Sequence, residues 1–171
     1  ARSGKCIRFP VTDVRVFVGR NSTGVRGIKL AEGDEVISMS ILLHSDATSE
    51  ERDEYARIAS AIKRISAERG DDSCVSPEDT GLLNVLTTEK YKEMAEREQF
   101  ILSVTSTGYG KRTSSYEYRV TGRGGQGIAN MEMSARNKEI VSSFPIEDDN
   151  QIMMVTDGGK LIRMPVKDIR I

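Results

Sequence analysis

Two hydrophobic periods divide the chain. Residues 14–18, 36–42, 100–105 and 151–156 are short β-branched or aliphatic runs bounded by Gly, Asn and Asp, the pattern of strands. Between the second and third runs the period changes. Tyr55, Ile58, Ala59, Ile62 and Ile65 recur at helical spacing as far as Gly70, and Thr48-Ser49-Glu50-Glu51 ahead of them has the form of a capping box. Ser76-Pro77-Glu78-Asp79 places a proline at the first position of a second helix, and the composition of 88–99 favours a third. The prediction is an all-β body carrying an inserted α-helical segment. Tyr109, Tyr116 and Tyr118, with Met131, Met133, Met153 and Met154, lie among strand residues and read as packing positions.

The body repeats itself. Residues 4–16 lie over 159–171 with 8 identities in 13 positions, among them Gly4, Arg8, Pro10, Asp13 and Arg15 over Gly159, Arg163, Pro165, Asp168 and Arg170. A third copy at 108–120 keeps Gly108, Arg112 and Arg119 in register, 51 residues before the last copy and 104 after the first. Thr23-Gly24-Val25-Arg26-Gly27-Ile28 similarly matches Arg123-Gly124-Gly125-Gln126-Gly127-Ile128. If one unit is 51 residues, the longer interval holds 53 extra, close to the 54 of the helical stretch 46–99. The expected organisation is a blade over 1–45, an insertion over 46–99, and a blade plus the start of another over 100–171. A period near 50 with several strands per unit predicts propeller-like blades. The strand missing before Gly4 and the stop at Ile171 in mid-unit predict a longer ring.

Charge follows the same division. Residues 46–99 carry 14 acidic and 8 basic side chains, a net of −6, whereas the rest carry 17 basic and 12 acidic, a net of +5. An acidic insertion thus interrupts a basic body. The acidic faces read as solvated surface; the sharper alternative is competition with the basic body's own ligand, or docking of a second protein subunit. Candidate chemistry is sparse. His44 is the only histidine and reads as a loop residue, so triads and HExxH sites fall away, and Cys6 and Cys74 are too few and too far apart for a disulfide framework or zinc module. No phosphate-binding loop occurs, and the 122–127 glycine stretch does not open a helix. No run reaches the roughly 20 apolar residues of a membrane span. Neither a catalytic residue, a metal nor a cofactor is expected, and the two cysteines suit a reducing, cytoplasmic setting.

Gly108-Tyr109-Gly110-Lys111-Arg112-Thr113, the Thr23 to Ile28 box and Thr121-Gly122-Arg123-Gly124-Gly125-Gln126-Gly127 resemble blade motifs of the C-terminal domain of the bacterial DNA gyrase A subunit. The resemblance covers the whole β body. It implies a partial β-pinwheel, a propeller-like disc that wraps duplex DNA on a basic rim. It also implies a parent type II topoisomerase, gyrase, that uses ATP to introduce negative supercoils and is associated with the bacterial nucleoid. The partners it implies are duplex DNA, the other blades and domains of the same polypeptide, and the gyrase B subunit. The family's hallmark box is richer in basic residues than this one, which has Gln126 at a basic position, so the main wrapping box is expected upstream. The helical insertion lies outside the family's blade pattern.

Wrapping without base readout needs cations spaced along one rim and glycines that let the backbone approach. The candidates for phosphate contact are Lys5, Arg8, Arg26, Lys29, Lys111, Arg112, Arg123, Lys160 and Arg163, with Gly24, Gly27, Gly124 and Gly127 as turn-formers. Arg15, Arg119 and Arg170 each follow an acidic residue by two positions, so that series is open to both blade-to-blade ion pairing and DNA contact. The alternative function is a propeller-type protein-interaction scaffold whose cations serve solubility.

Overall fold

In the computed structural model, which describes residues 1–69 and 75–169, the runs at 100–105 and 151–156 become strands, and the described strands form three small antiparallel sheets. Lys5–Cys6 (β1) pairs with Ile128–Ala129 (β4). Phe100–Thr105 (β2) lies between Gly110–Ser114 (β3) and Ile140–Ile146 (β5), and Gln151–Val155 (β6) pairs with Leu161–Pro165 (β7). The chain divides into two compact units. Ala1–Ile41, Phe100–Ser114 and Tyr118–Ile171 make the sheet unit; Leu42–Gln99 and Ser115–Glu117 make the helical unit.

β2 is central in its sheet, and Leu102 on it is 1% exposed. With Ile146, Ile152 and the fully buried Val166 it forms the core of the sheet unit, ringed by Phe100, Val104, Met154, Met164 and Ile169. Burying each such aliphatic side chain stabilises by about 1.5–3 kcal/mol. Because the cluster draws on β2, β5, β6 and the turn after β7, consecutive repeats share one core, as neighbours in a blade array do.

The repeat is visible atom by atom. Thr105 donates its N–H to the Tyr109 carbonyl at 2.9 Å, and Thr156 does the same to Lys160 at 2.9 Å. Gly108 and Gly159 return N–H bonds to those threonines at 3.0 Å each, while in the first copy Gly4 donates to Ala1 at 3.1 Å. The three glycines have φ of 85°, 83° and 74°, left-handed values that a Cβ disfavours. At Gly4 a Cβ would also lie 2.6 Å from the Met131 carbonyl oxygen. Each copy ends in a single 3-10 turn, at Val11–Asp13, Ser115–Glu117 and Val166–Asp168.

The strands expected at 14–18 and 36–42 do not form. Val16 and Met39 are 94% and 87% exposed, and among the described residues no strand lies beside either run. β-branched composition reports fitness for a pleated surface, but a strand exists only where a partner takes up its backbone groups. Met153 is likewise exposed rather than packed, whereas Met154 reaches the core. Tyr116 and Tyr118 are buried as expected; Tyr109 is not.

In the helical unit the capping box forms as its sequence dictates. Thr48 donates its N–H to Glu51 Oε2 at 2.7 Å, Glu51 returns its own to Thr48 Oγ1 at 3.2 Å, and helix α1 runs Ser49–Arg69. Helix α2, Thr88–Arg97, is capped by the Thr87 hydroxyl, which accepts the Lys90 N–H at 3.2 Å. The helix expected to start at Pro77 amounts to one 3-10 turn, Glu78–Thr80, which the left-handed Gly81 ends. Tyr55 stacks on Tyr91 at 4.9 Å and meets Tyr116 edge-on at 5.2 Å, around a core completed by Ile58, Leu86 and Met94. Gly70 and Cys74 lie outside the described residues.

Glu54 on α1 is 1% exposed, on the same helical face as the buried Ile58 and Ala61. Its carboxylate accepts N–H bonds from Asn84, Val85 and Leu86 at 2.7 to 3.1 Å, which closes the loop leading into α2. Burial pushes this carboxyl up, but the backbone N–H groups of Asn84, Leu86 and Val85 outweigh it and hold it below the usual carboxylate range.

Candidate nucleic-acid interface

The two glycine boxes lie against each other. Gly124 donates its N–H to the Gly27 carbonyl at 2.5 Å, and Lys29 donates to Gly125 at 2.8 Å. Gly24, Gly124 and Gly127 are left-handed, as turn-formers should be, while Gly27 is not and acts as the pairing acceptor. Gly127 is the tightest position: its φ is 75°, and a Cβ there would overlap the Cys6 carbonyl oxygen. Arg123 clamps the joined boxes, Nε donating to the Asp13 carbonyl at 3.0 Å and Nη1 to the Arg26 carbonyl at 3.2 Å. Arg26 and Lys29 project from this junction into solvent with no side-chain partner among the described residues.

The repeat register brings other cations to equivalent places with unequal outcomes. Lys5 and Lys160 both follow the left-handed glycine of the recurring turn, and both are exposed and unpaired among the described residues. Lys111 is exposed but donates Nζ to the Asn130 carbonyl at 3.2 Å. Arg163 is exposed, with Nε on Gln151 Oε1 at 2.5 Å. Arg8 is half-buried, donating Nη1 to the Tyr118 carbonyl at 3.4 Å.

Arg112 departs from the expectation for its series. It is 5% exposed, ion-paired to Asp148 and laid over the Phe100 ring at 4.2 Å. Its charge is matched by Asp148 and it offers little surface to a phosphate, unlike the exposed cations. Asp148, from the 147–150 loop, supplies the carboxylate that meets Arg112 on β3.

Arg15 and Arg119, the described members of the second arginine series, form no ion pair with the acidic residues two positions before them. Neither Asp13 with Arg15 nor Glu117 with Arg119 is paired among the described residues; Arg15 instead stacks on Phe17 at 4.5 Å, and Arg119 is exposed. Arg170 lies outside the described residues. Arg2, which the repeat did not single out, bridges Glu35 and Glu139, two residues 104 apart in register, and its charge is thereby matched. His44 is 83% exposed and meets Asp46 at 2.9 Å, a loop pairing. Burial raises the Cys6 thiol above its ordinary range, which lowers its thiolate fraction. No cluster of metal-ligating side chains occurs among the described residues, and no described helix is long and apolar enough to cross a membrane.

A family model described as DNA gyrase C-terminal domain, beta-propeller, matches residues 2–42, 99–146 and 150–171. The gap at 43–98 is the stretch that holds both helices. Among curated proteins, the DNA gyrase A subunit of Granulibacter bethesdensis is 48% identical over 184 residues, covering 100% of this chain and 19% of that protein. That of Rickettsia bellii is 45% identical over 170 residues, covering 99% of this chain and 18% of its own length, and that of Haemophilus influenzae is 33% identical over 168 residues, covering 98% and 16%. The chain thus spans about a fifth of the relatives it matches, and the alignments run through the helical stretch that the family model skips. With blades that repeat down to their turn hydrogen bonds, and with that match on both sides of the insertion, the chain belongs to the DNA gyrase C-terminal domain, beta-propeller family.

Proposed function

We propose that this chain is a DNA-wrapping module of a type II topoisomerase, which bends duplex DNA against its cations without reading base edges. The observation that carries the reading is a set of exposed, unpaired cations: Lys5 and Lys160 at the same position of the recurring turn, with Arg26 and Lys29 beside the joined glycine boxes. Cations exposed on successive repeats neutralise phosphates and release counterions, and the elastic cost of the bend is met by the additional contacts. The names of the relatives point the same way.

In this reading residues 1–45 and 100–171 are blades, and 46–99 is an addition that takes no part in wrapping. The module needs no cofactor and holds no catalytic residue. Strand cleavage, ATP use and the gyrase B subunit belong to the longer parent protein, which acts on DNA in the bacterial cytoplasm. The test is fluorescence anisotropy with duplexes of about 20 and 40 base pairs over a salt series. Affinity that rises with duplex length and falls steeply with salt supports wrapping. A second reading, a protein-interaction scaffold, draws on the exposed apolar residues Val16, Val18, Met39 and Ile41. Absence of duplex binding at low salt would favour it.

A further inference from the structure

The turn that recurs three times carries lysine after its glycine in two copies, Lys5 and Lys160, and Tyr109 in the third. The third copy is not without a cation. Arg136, from the loop between β4 and β5, lies over the Tyr109 ring with its guanidinium carbon 4.4 Å from the ring centroid.

The placement is built rather than incidental. The Thr107 hydroxyl, inside the same turn, donates to the Arg136 carbonyl at 2.8 Å, so the loop is tied to the turn it serves. Ser134 Oγ accepts the N–H groups of Arg136 and Asn137 at 3.2 and 3.3 Å, and Lys138 donates its N–H to the Ser134 carbonyl at 2.9 Å. Lys138 has a φ of 55°, the one positive value at a non-glycine among the described residues. Arg136 is exposed and has no carboxylate partner among the described residues.

We infer that Arg136 is the phosphate-contacting cation of the middle blade, standing on Tyr109 where the neighbouring copies use Lys5 and Lys160. The inference rests on the DNA reading above and adds a contact that the sequence register hides. A planar guanidinium suits the position because it can stack on the aromatic face and still offer N–H donors at its edge to phosphate oxygens. A lysine would present a point charge without using the ring in this way.

Duplex binding by the full chain, its Arg136→Ala variant and the double variant Tyr109→Lys/Arg136→Ala tests this. Both positions are on the surface. Losing one phosphate contact should lower the slope of log affinity against log salt by about 0.9 and weaken low-salt binding several-fold in Arg136→Ala. The double variant, with lysine restored in register, should recover both. Wild-type slope in Arg136→Ala, or no recovery in the double variant, would overturn the inference while leaving the DNA reading intact. If the unaltered chain fails to bind duplex at low salt, both are overturned.

Discussion

Arg112 and Asp148 form an ion pair whose cation is 5% exposed and whose anion is 72% exposed. The pair therefore fixes a buried guanidinium from the solvent side, and Arg112 Nε, within the core, has no hydrogen-bond partner among the described residues. Removing the anion leaves a buried charge uncompensated. Asp148→Asn should cost about 1–3 kcal/mol, read as a lower melting temperature. Arg112→Met keeps the apolar contact with Phe100 and should leave the salt dependence of DNA binding unchanged; a reduced salt slope in that variant would restore Arg112 to the phosphate contacts.

Gly127→Ala should be among the most damaging small substitutions in the sheet unit. The added methyl overlaps the Cys6 carbonyl oxygen, and the backbone is left-handed at φ 75°. The clash falls on the β1–β4 pairing, so a loss exceeding about 1–3 kcal/mol is expected. Gly122→Ala, in open space nearby, is the control and should stay within about 0.5 kcal/mol. Chemical denaturation of the two variants side by side reads the difference.

Glu54 gives the helical unit a dependence on acid. Its carboxyl titrates below the usual range in the folded chain, so its contribution is fully present above the ordinary glutamate value of about 4.3 and is lost as pH falls through the lowered folded value. Unfolding of the helical unit followed by circular dichroism from neutral to acid pH should show this loss. Glu54→Gln should destabilise the unit by about 1–3 kcal/mol at neutral pH and flatten the acid dependence. An unchanged acid profile in that variant would assign the dependence to other carboxyls.

Much of this architecture is legible in the sequence because it is local or repeated. The capping box at Thr48 and Glu51, the run that becomes β2, and the three left-handed glycines each follow from residue types at fixed spacing. What escapes is set by partners distant in the chain. Arg8, Arg112 and Arg163 share a register, yet one meets the Tyr118 carbonyl, one Asp148 and one Gln151, so identical spacing leads to different exposure. Glu54 looks like one more acidic residue on a solvated helix until the Asn84 to Leu86 backbone closes over it. The β-branched residues near Val16 and Met39 fit a strand in isolation, but pairing depends on a neighbour that periodicity does not reveal.

Wrapping changes the path of a duplex, and DNA topology records such a change directly. A nicked circular plasmid sealed by ligase in the presence of increasing amounts of the chain, then freed of protein, records any path imposed on the duplex as a change in linking number. If the chain wraps DNA, the topoisomer distribution shifts progressively in one direction with protein and returns to its starting position at high salt, as the phosphate contacts are lost. A distribution that stays in place while the chain is demonstrably bound to the plasmid would contradict it.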